Sequence, residues 1–239
     1  MPIDALLLVR HGESTANLAA AAAERSGALR LDLDLRDADV PLSDLGARQA
    51  EALGPALRSQ TIDRVLVSPY RRAVDTARIA LEAASLEPPI RRDERLRDRE
   101  LGVLDLLTWR GVEQQHPDEA ARRKRLGKYY HRPPGGESWA DVALRLRPVL
   151  ESLPSGCTVL VAHDAVVTIV TGLLLGLDEP ELMRFAAEHP VPNASVTELR
   201  PGAQSWTLER FGDDAHLSDV ETTEHGGTGE RHDPEPDTP

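Results

Sequence analysis

Apolar positions fall along this chain in two patterns: short unbroken runs, and longer stretches at helical spacing. Ala5 to Val9 is an unbroken run, as expected of a strand buried on both faces of a parallel sheet. Val65–Val67, following Ile62, and Cys157–Ala162 repeat that pattern. Between the runs the spacing changes. The alanine-rich stretch Leu18–Glu24 predicts a helix. Ser43 is placed to cap a second helix to about Arg58, with Leu45, Ala50, Leu53 and Leu57 on one face. Pro69 suits the first turn of a helix reaching about Ala84, which Pro88 and Pro89 end. Ser138 and Asp141 form a capping-box pattern for a helix to about Leu153. Asp164 is placed to cap an apolar helix over 165–175, closed by Gly176. Two late strands are expected at Ser195–Leu199 and Ser205–Phe211. Residues 26–41 read as irregular, and the charged region 91–132 as holding two short helices, 108–116 and 117–128. Apolar strands alternating with helices predict an α/β fold: a three-layer αβα sandwich around a mostly parallel, doubly wound sheet.

Composition divides the chain. Of 239 residues with a formal charge of −12, residues 212–239 carry −8, with three prolines, four glycines and almost no apolar content. The reading is therefore one domain over 1–211 and an acidic, disordered tail over 212–239. The domain keeps only −4 and has no separate basic stripe, which argues against nucleic-acid binding. The 28 basic residues are 26 Arg and 2 Lys, so a lone Arg has little functional weight. The single cysteine, Cys157, excludes an intramolecular disulfide framework and a CxxC metal site. No apolar run approaches the roughly 18–20 residues of a membrane span, and the opening segment turns polar too early for a signal peptide. A cytoplasmic protein without a membrane partner is expected; no oligomeric state is assigned.

The polar residues that follow the apolar runs carry the chemistry. In open α/β sheets ligands bind outside the carboxyl ends of the strands. The first strand delivers Arg10 and His11 there, the second Ser68 and then Arg72, and the third His163. Guanidinium forks match phosphate oxygens, and an imidazole near neutral pH serves as nucleophile or as charged donor. Two Arg and two His in one crevice would make an anion site with a nucleophile inside it.

These residues also carry a family resemblance. Arg10-His11-Gly12-Glu13-Ser14-Thr15-Ala16-Asn17 matches the RHGxTxxN or RHGESxxN signature of the histidine phosphatase, or phosphoglycerate-mutase-like, superfamily. Residues 68–77, SPYRRAVDTA, resemble its SPxxRAxxTA motif and pick out Arg72 rather than Arg71. Residues 41–50, PLSDLGARQA, resemble its LTxxGxxQA helix start, and residues 96–102, LRDRELG, its LxExxxG acid segment. Residues 134–138, PGGES, match the PxGES of the phosphatase branch, and Val161-Ala162-His163 the late histidine. The resemblance covers about residues 5–200 and implies a phosphoglycerate-mutase-like fold. His11 would attack phosphorus and form a phosphohistidine, while Arg10, Arg72 and His163 hold the equatorial oxygens. Asn17 would add a neutral hydrogen bond. Asp98, at the family's usual Glu position, would be the general acid, with Glu100 as the alternative. No metal or other cofactor is implied, because cationic side chains take the metal's place.

The expected partner is a small phosphorylated substrate, and Glu137 is a candidate to bind it. Two departures from the family pattern stand out: Asp164 where Gly usually follows the late histidine, and Val103-Leu104-Asp105 after Gly102. Asp164 is expected to turn away from the phosphate and cap the next helix. Two other functions compete with a phosphomonoesterase. One is a phosphoglycerate mutase, which would need a basic residue where Trp109 stands. The other is a non-catalytic phosphate-binding protein.

Overall fold

The computed structural model describes residues 3–203 and 205–220. Strand β1 (Ile3–Arg10) shows why an unbroken apolar run makes a central strand. Successive side chains point to opposite faces. Leu6 and Leu8 enter one core with Leu146, Leu160, Ile169 and Val170. Ala5, Leu7 and Val9 enter another with Leu53, Leu57, Ala73, Ala77 and Ala80. Strand β4 (Gly156–Ala162) divides in the same way, and β2 (Arg64–Val67) joins it.

Six strands form one sheet in the order β3-β2-β4-β1-β5-β6, with β3 (Ile90–Arg92), β5 (Val196–Pro201) and β6 (Trp206–Asp213) at or toward the edges. Strands β3, β2, β4 and β1 run parallel, while β5 is antiparallel to β1 and to β6. On one face lie α2 (Asp44–Arg58) and α3 (Arg71–Ala84); on the other lie α6 (Trp139–Glu151) and α7 (Asp164–Leu175). Helices α1 (Thr15–Ser26), α4 (Trp109–Gln115), α5 (Pro117–Tyr130) and α8 (Glu179–Glu188) complete the set. The expected three-layer arrangement is the one observed. Among the described residues no helix is long and apolar enough to cross a membrane.

Several local expectations are corrected. Helix α1 starts at Thr15, not Leu18, because Ser14 and Asn17 cap it reciprocally. Pro69 precedes the Tyr70 N-cap instead of opening α3, and Ser68 Oγ accepts from the Tyr70 N–H. His163, not Asp164, occupies the N-cap of α7; Asp164 is its first helical residue and accepts from the Ala165 N–H at 2.7 Å. Helix α8 was not anticipated, although Asp178 and Glu181 cap it reciprocally. Strand β3 has all three side chains exposed and exists through backbone pairing to Val65–Val67. The domain also passes the boundary at 211. Strand β6 reaches Asp213, and a turn of 3-10 helix over Ala215–Leu217 buries Leu217 completely. The rest of the acidic tail, 221–239, lies outside the described residues.

The loop after β1 is seated by close approach to α2. A Cβ on Gly12 would overlap the Gly46 carbonyl oxygen, and one on Gly46 would overlap that of Glu13. Both contacts are backbone, so neither can swing aside. Gly46→Ala is expected to destabilise the fold by about 3 kcal/mol, read as a lower urea midpoint. An unchanged midpoint would show that the loop and α2 can part freely.

Candidate active site

Strands β2, β4 and β1 are neighbours, so their carboxyl ends open side by side. The Ser68 N–H donates to Val161 O at 2.9 Å and the His11 N–H to Ala162 O at 3.0 Å. The sheet's hydrogen bonding therefore continues one residue past β1 and β2 before the chain turns. That places His11, Ser68 and His163 together.

The loop beyond His11 is tied down by side chains of the motif segments. Thr76 Oγ1 accepts from the Gly12 N–H at 3.0 Å, and Gln49 Oε1 from the Glu13 N–H at 2.8 Å. Ser43 Oγ donates to the buried Glu13 carboxylate at 2.6 Å while capping α2. Behind the loop, Asn193 Nδ2 donates to His11 O at 3.0 Å, and Ala194 adds its N–H at 3.1 Å. The positioning role of Asn193 was not read from the sequence.

His11 is almost fully buried. Its Nδ1–H donates to Gly12 O at 2.7 Å, which leaves Nε2 as the lone-pair nitrogen; Arg72 Nε donates to it at 3.2 Å. Burial first, then Arg72, His163 and Arg10, hold the imidazole well below its ordinary pKa. His11 is thus neutral at neutral pH, with Nε2 available. The His163 ring stands edge-on to it, centroids 5.2 Å apart. Ser68 Oγ lies 2.8 Å from His163 Nε2, and Asp98 Oδ2 lies 3.2 Å from His163 Nδ1. Arg10 is buried and donates to Val191 O at 2.5 Å.

Arg72 organises the centre. Besides His11, it donates from Nη1 to the Asp37 carbonyl and to Asp37 Oδ1, both at 2.7 Å. Nη2 reaches Asp37 Oδ2 at 3.2 Å and Asp98 Oδ2 at 2.9 Å. A guanidinium has five N–H donors, and these five bonds use them all. Burial alone would lower its pKa; Asp37 and Asp98 outweigh that and raise it. Asp98 also accepts from the Arg99 N–H at 2.8 Å. Although burial favours its neutral form, His163 and then Arg72 keep its carboxyl well below the usual carboxylate range.

Asp37 lies in the segment read only as irregular, and no motif pointed to it. Nor was Tyr70 singled out: it packs edge-on against His163 at 5.2 Å and lies under the Arg72 guanidinium at 5.0 Å. Burial and Glu100 push its hydroxyl pKa up, and that hydroxyl donates to Glu100 Oε1 at 3.0 Å. Glu100 stands half-exposed at the rim, whereas Asp98 touches both Arg72 and His163.

The structure thus brings Arg10, His11, Arg72, His163 and Asp98 together. Asn17 is buried as well, with its Oδ1 used by the Ser14 N–H and hydroxyl. Glu137 does not join the cluster. Its oxygens are held by Arg97 at 2.6 Å, by Arg145 at 2.9 and 3.0 Å, and by the Glu100 N–H at 3.3 Å. It braces the segment carrying Asp98. Among the described residues no group of three or more His, Cys, Asp or Glu side chains is arranged to hold a metal ion.

The depressed pKa of His11 has a measurable sign. Imidazole NMR is expected to show His11 neutral at pH 6.5, with the proton on Nδ1. Removing a neighbouring cation by Arg72→Ala should move its titration upward; a downward move would contradict the charge assignment.

Comparison with known proteins agrees with this geometry. Residues 6–214 match the family model of the histidine phosphatase superfamily, branch 1. A "Probable phosphoglycerate mutase" of Yersinia enterocolitica is 32 % identical over 219 residues, covering 89 % of this chain and 94 % of that protein. Among solved structures, mycobacterial glucosyl-3-phosphoglycerate phosphatase superposes with a TM-score of 0.67 at 29 % identity, over 87 % of this chain and 98 % of that one. The alpha-ribazole phosphatase of Shigella flexneri, at 21 % identity, shares the fold with a TM-score of 0.71, over 88 % of this chain and 96 % of that one. The match runs from β1 to the end of β6 and spans every strand that delivers a site residue. The chain belongs to the histidine phosphatase superfamily, branch 1.

Proposed function

We propose that this protein hydrolyses a small phosphomonoester through a phosphohistidine on His11. The observation that carries the reading is an unprotonated imidazole Nε2 held at 3.2 Å from a buried guanidinium, beside a second histidine. His11 Nε2 attacks phosphorus, and the P–O bond to the leaving group breaks. Asp98 gives its proton to the departing oxygen, then as a carboxylate takes one from the water that opens the phosphohistidine. Arg10, Arg72 and His163 hold the three equatorial oxygens, and Asn17 adds a neutral donor.

The free site is arranged against its own substrate charge, and that shapes the pH response. Asp37 and Asp98 fill the forks of Arg72, so an incoming phosphate must displace carboxylate contacts. Asp98 starts ionised and must gain a proton, which the dianion promotes by repulsion and by drawing off Arg72 and His163. Proton uptake then accompanies substrate binding, and kcat/KM falls as pH rises. On the acid side, activity is lost only where His11 protonates, below its ordinary range. An acid-biased profile follows. The cationic cradle does the work of a metal in this reading, so a chelator should leave turnover unchanged.

The second reading is a mutase, favoured by the 32 % identical relative named as one. A mutase needs a cation for the substrate carboxylate. Here Trp109 opens α4, donates to Glu113 at 3.1 Å and stacks against Arg123 at 5.4 Å. Conversion of 3- to 2-phosphoglycerate without hydrolysis would favour the mutase. Stoichiometric phosphate binding without turnover would instead indicate a binding protein.

Aryl phosphate hydrolysis is expected to vanish in His11→Ala. It should fall about 10²–10⁴-fold in Asp98→Asn, more steeply for poor leaving groups than for good ones. Acid-labile ³²P label should appear on wild type and not on His11→Ala. Label on another residue would refute the nucleophile.

A further inference from the structure

Beside the catalytic cluster lies a small, partly open hollow, which shares Asp37 with the cluster and begins at Ala16, next to Asn17. Its walls are leucines, among them Leu31, Leu33, Leu101 and Leu107, and its other charged lining residue is Asp105. Among the described residues no Arg, Lys or His lines it. Such walls favour an apolar ligand body.

The charge around the hollow is negative. Burial first, then Asp37 and more weakly Glu100, push the Asp105 carboxyl pKa up; exposed Arg30 pulls the other way without cancelling them. The Leu106 N–H, donating at 3.0 Å, also favours the charged form. A leaving-group carboxylate here would meet Asp37 and Asp105, with no cation among the described lining residues. Asp37 itself has a further need. Once phosphoryl oxygens take the Arg72 fork, Asp37 loses three hydrogen bonds at the wall of the hollow, two to its carboxylate and one to its backbone carbonyl. A hydroxyl or ammonium on the leaving group would supply replacement donors.

Resting on the phosphomonoesterase reading, we infer that the substrate's leaving group is apolar in body, carries a hydroxyl or ammonium donor, and bears no carboxylate. Asp37 and Asp105 then act as specificity residues: they reject acidic leaving groups and accept donors from neutral or cationic ones.

The test uses the full chain and three aryl phosphates that differ at the para position: carbamoyl, aminomethyl and carboxylate. The first two are expected to exceed the third at least tenfold in kcat/KM. Because the whole chain is acidic, long-range repulsion must be separated from the local effect. Asp105→Asn should shrink the carbamoyl-to-carboxylate ratio at least threefold and Asp105→Lys more, whereas Glu82→Gln, exposed on α3, should leave it unchanged. A wild-type ratio near one, or a ratio that Asp105 substitutions do not move, overturns the inference and leaves the phosphatase reading standing. Hydrolysis of none of the three esters removes the phosphatase reading, and this inference with it.

Discussion

Arg72 is 2 % exposed, yet its guanidinium meets one imidazole, two carboxylates and a backbone carbonyl with every N–H it has. A buried cation is tolerated only when paired and fully hydrogen-bonded. The pairing does more than relieve that penalty. It aims an N–H at His11 Nε2, it joins His163 in holding Asp98 ionised, and it draws the Asp37 segment over the cluster. Removing one member would leave the others as uncompensated buried charge, so the five groups act as a unit. The free site is thus neutralised internally, and a phosphate enters by exchange with carboxylates already in place.

The scaffold makes this assembly possible by keeping a reactive loop rigid. Four motif side chains act as joints. Ser43 and Gln49 of the α2 segment hold Glu13, Thr76 of α3 holds Gly12, and Ser68 meets His163. None of these need touch a substrate. Their spacing in the sequence follows from where α2 and α3 pass the end of β1, and the glycine pair at 12 and 46 lets the backbones come close enough. A motif that looks catalytic from end to end thus divides into a few reacting groups and several struts that hold them.

Glu137 shows how a motif residue can be misassigned. Its position in PGGES suggests substrate contact, but three partners on other segments claim its oxygens, and it instead braces the stretch bearing Asp98. Asn17, read from its motif as a phosphate contact, has its amide oxygen engaged in capping α1. Asp164 gives up the cap to His163, because the strand hydrogen bonding ends there and the histidine already has the extended backbone a cap requires. These assignments depend on partners far away in sequence.

What could be read without coordinates was whatever local periodicity and a fixed motif determine. Unbroken apolar runs marked β1, β2 and β4 because strands buried on both faces have no polar side. Helical spacing and caps marked α2 and α6, and the strand-end rule put Arg10, His11, Arg72 and His163 in one crevice. Tertiary structure alone decided the rest. Strand β3 has no buried side chain to leave a pattern, and the turn that buries Leu217 lies in a stretch whose composition reads as tail. Asp37 reaches Arg72 across 35 residues of chain that carry no periodic signal. The protonation of His11 and Asp98 belongs to tertiary structure as well, since it depends on burial and on charges brought together only by folding.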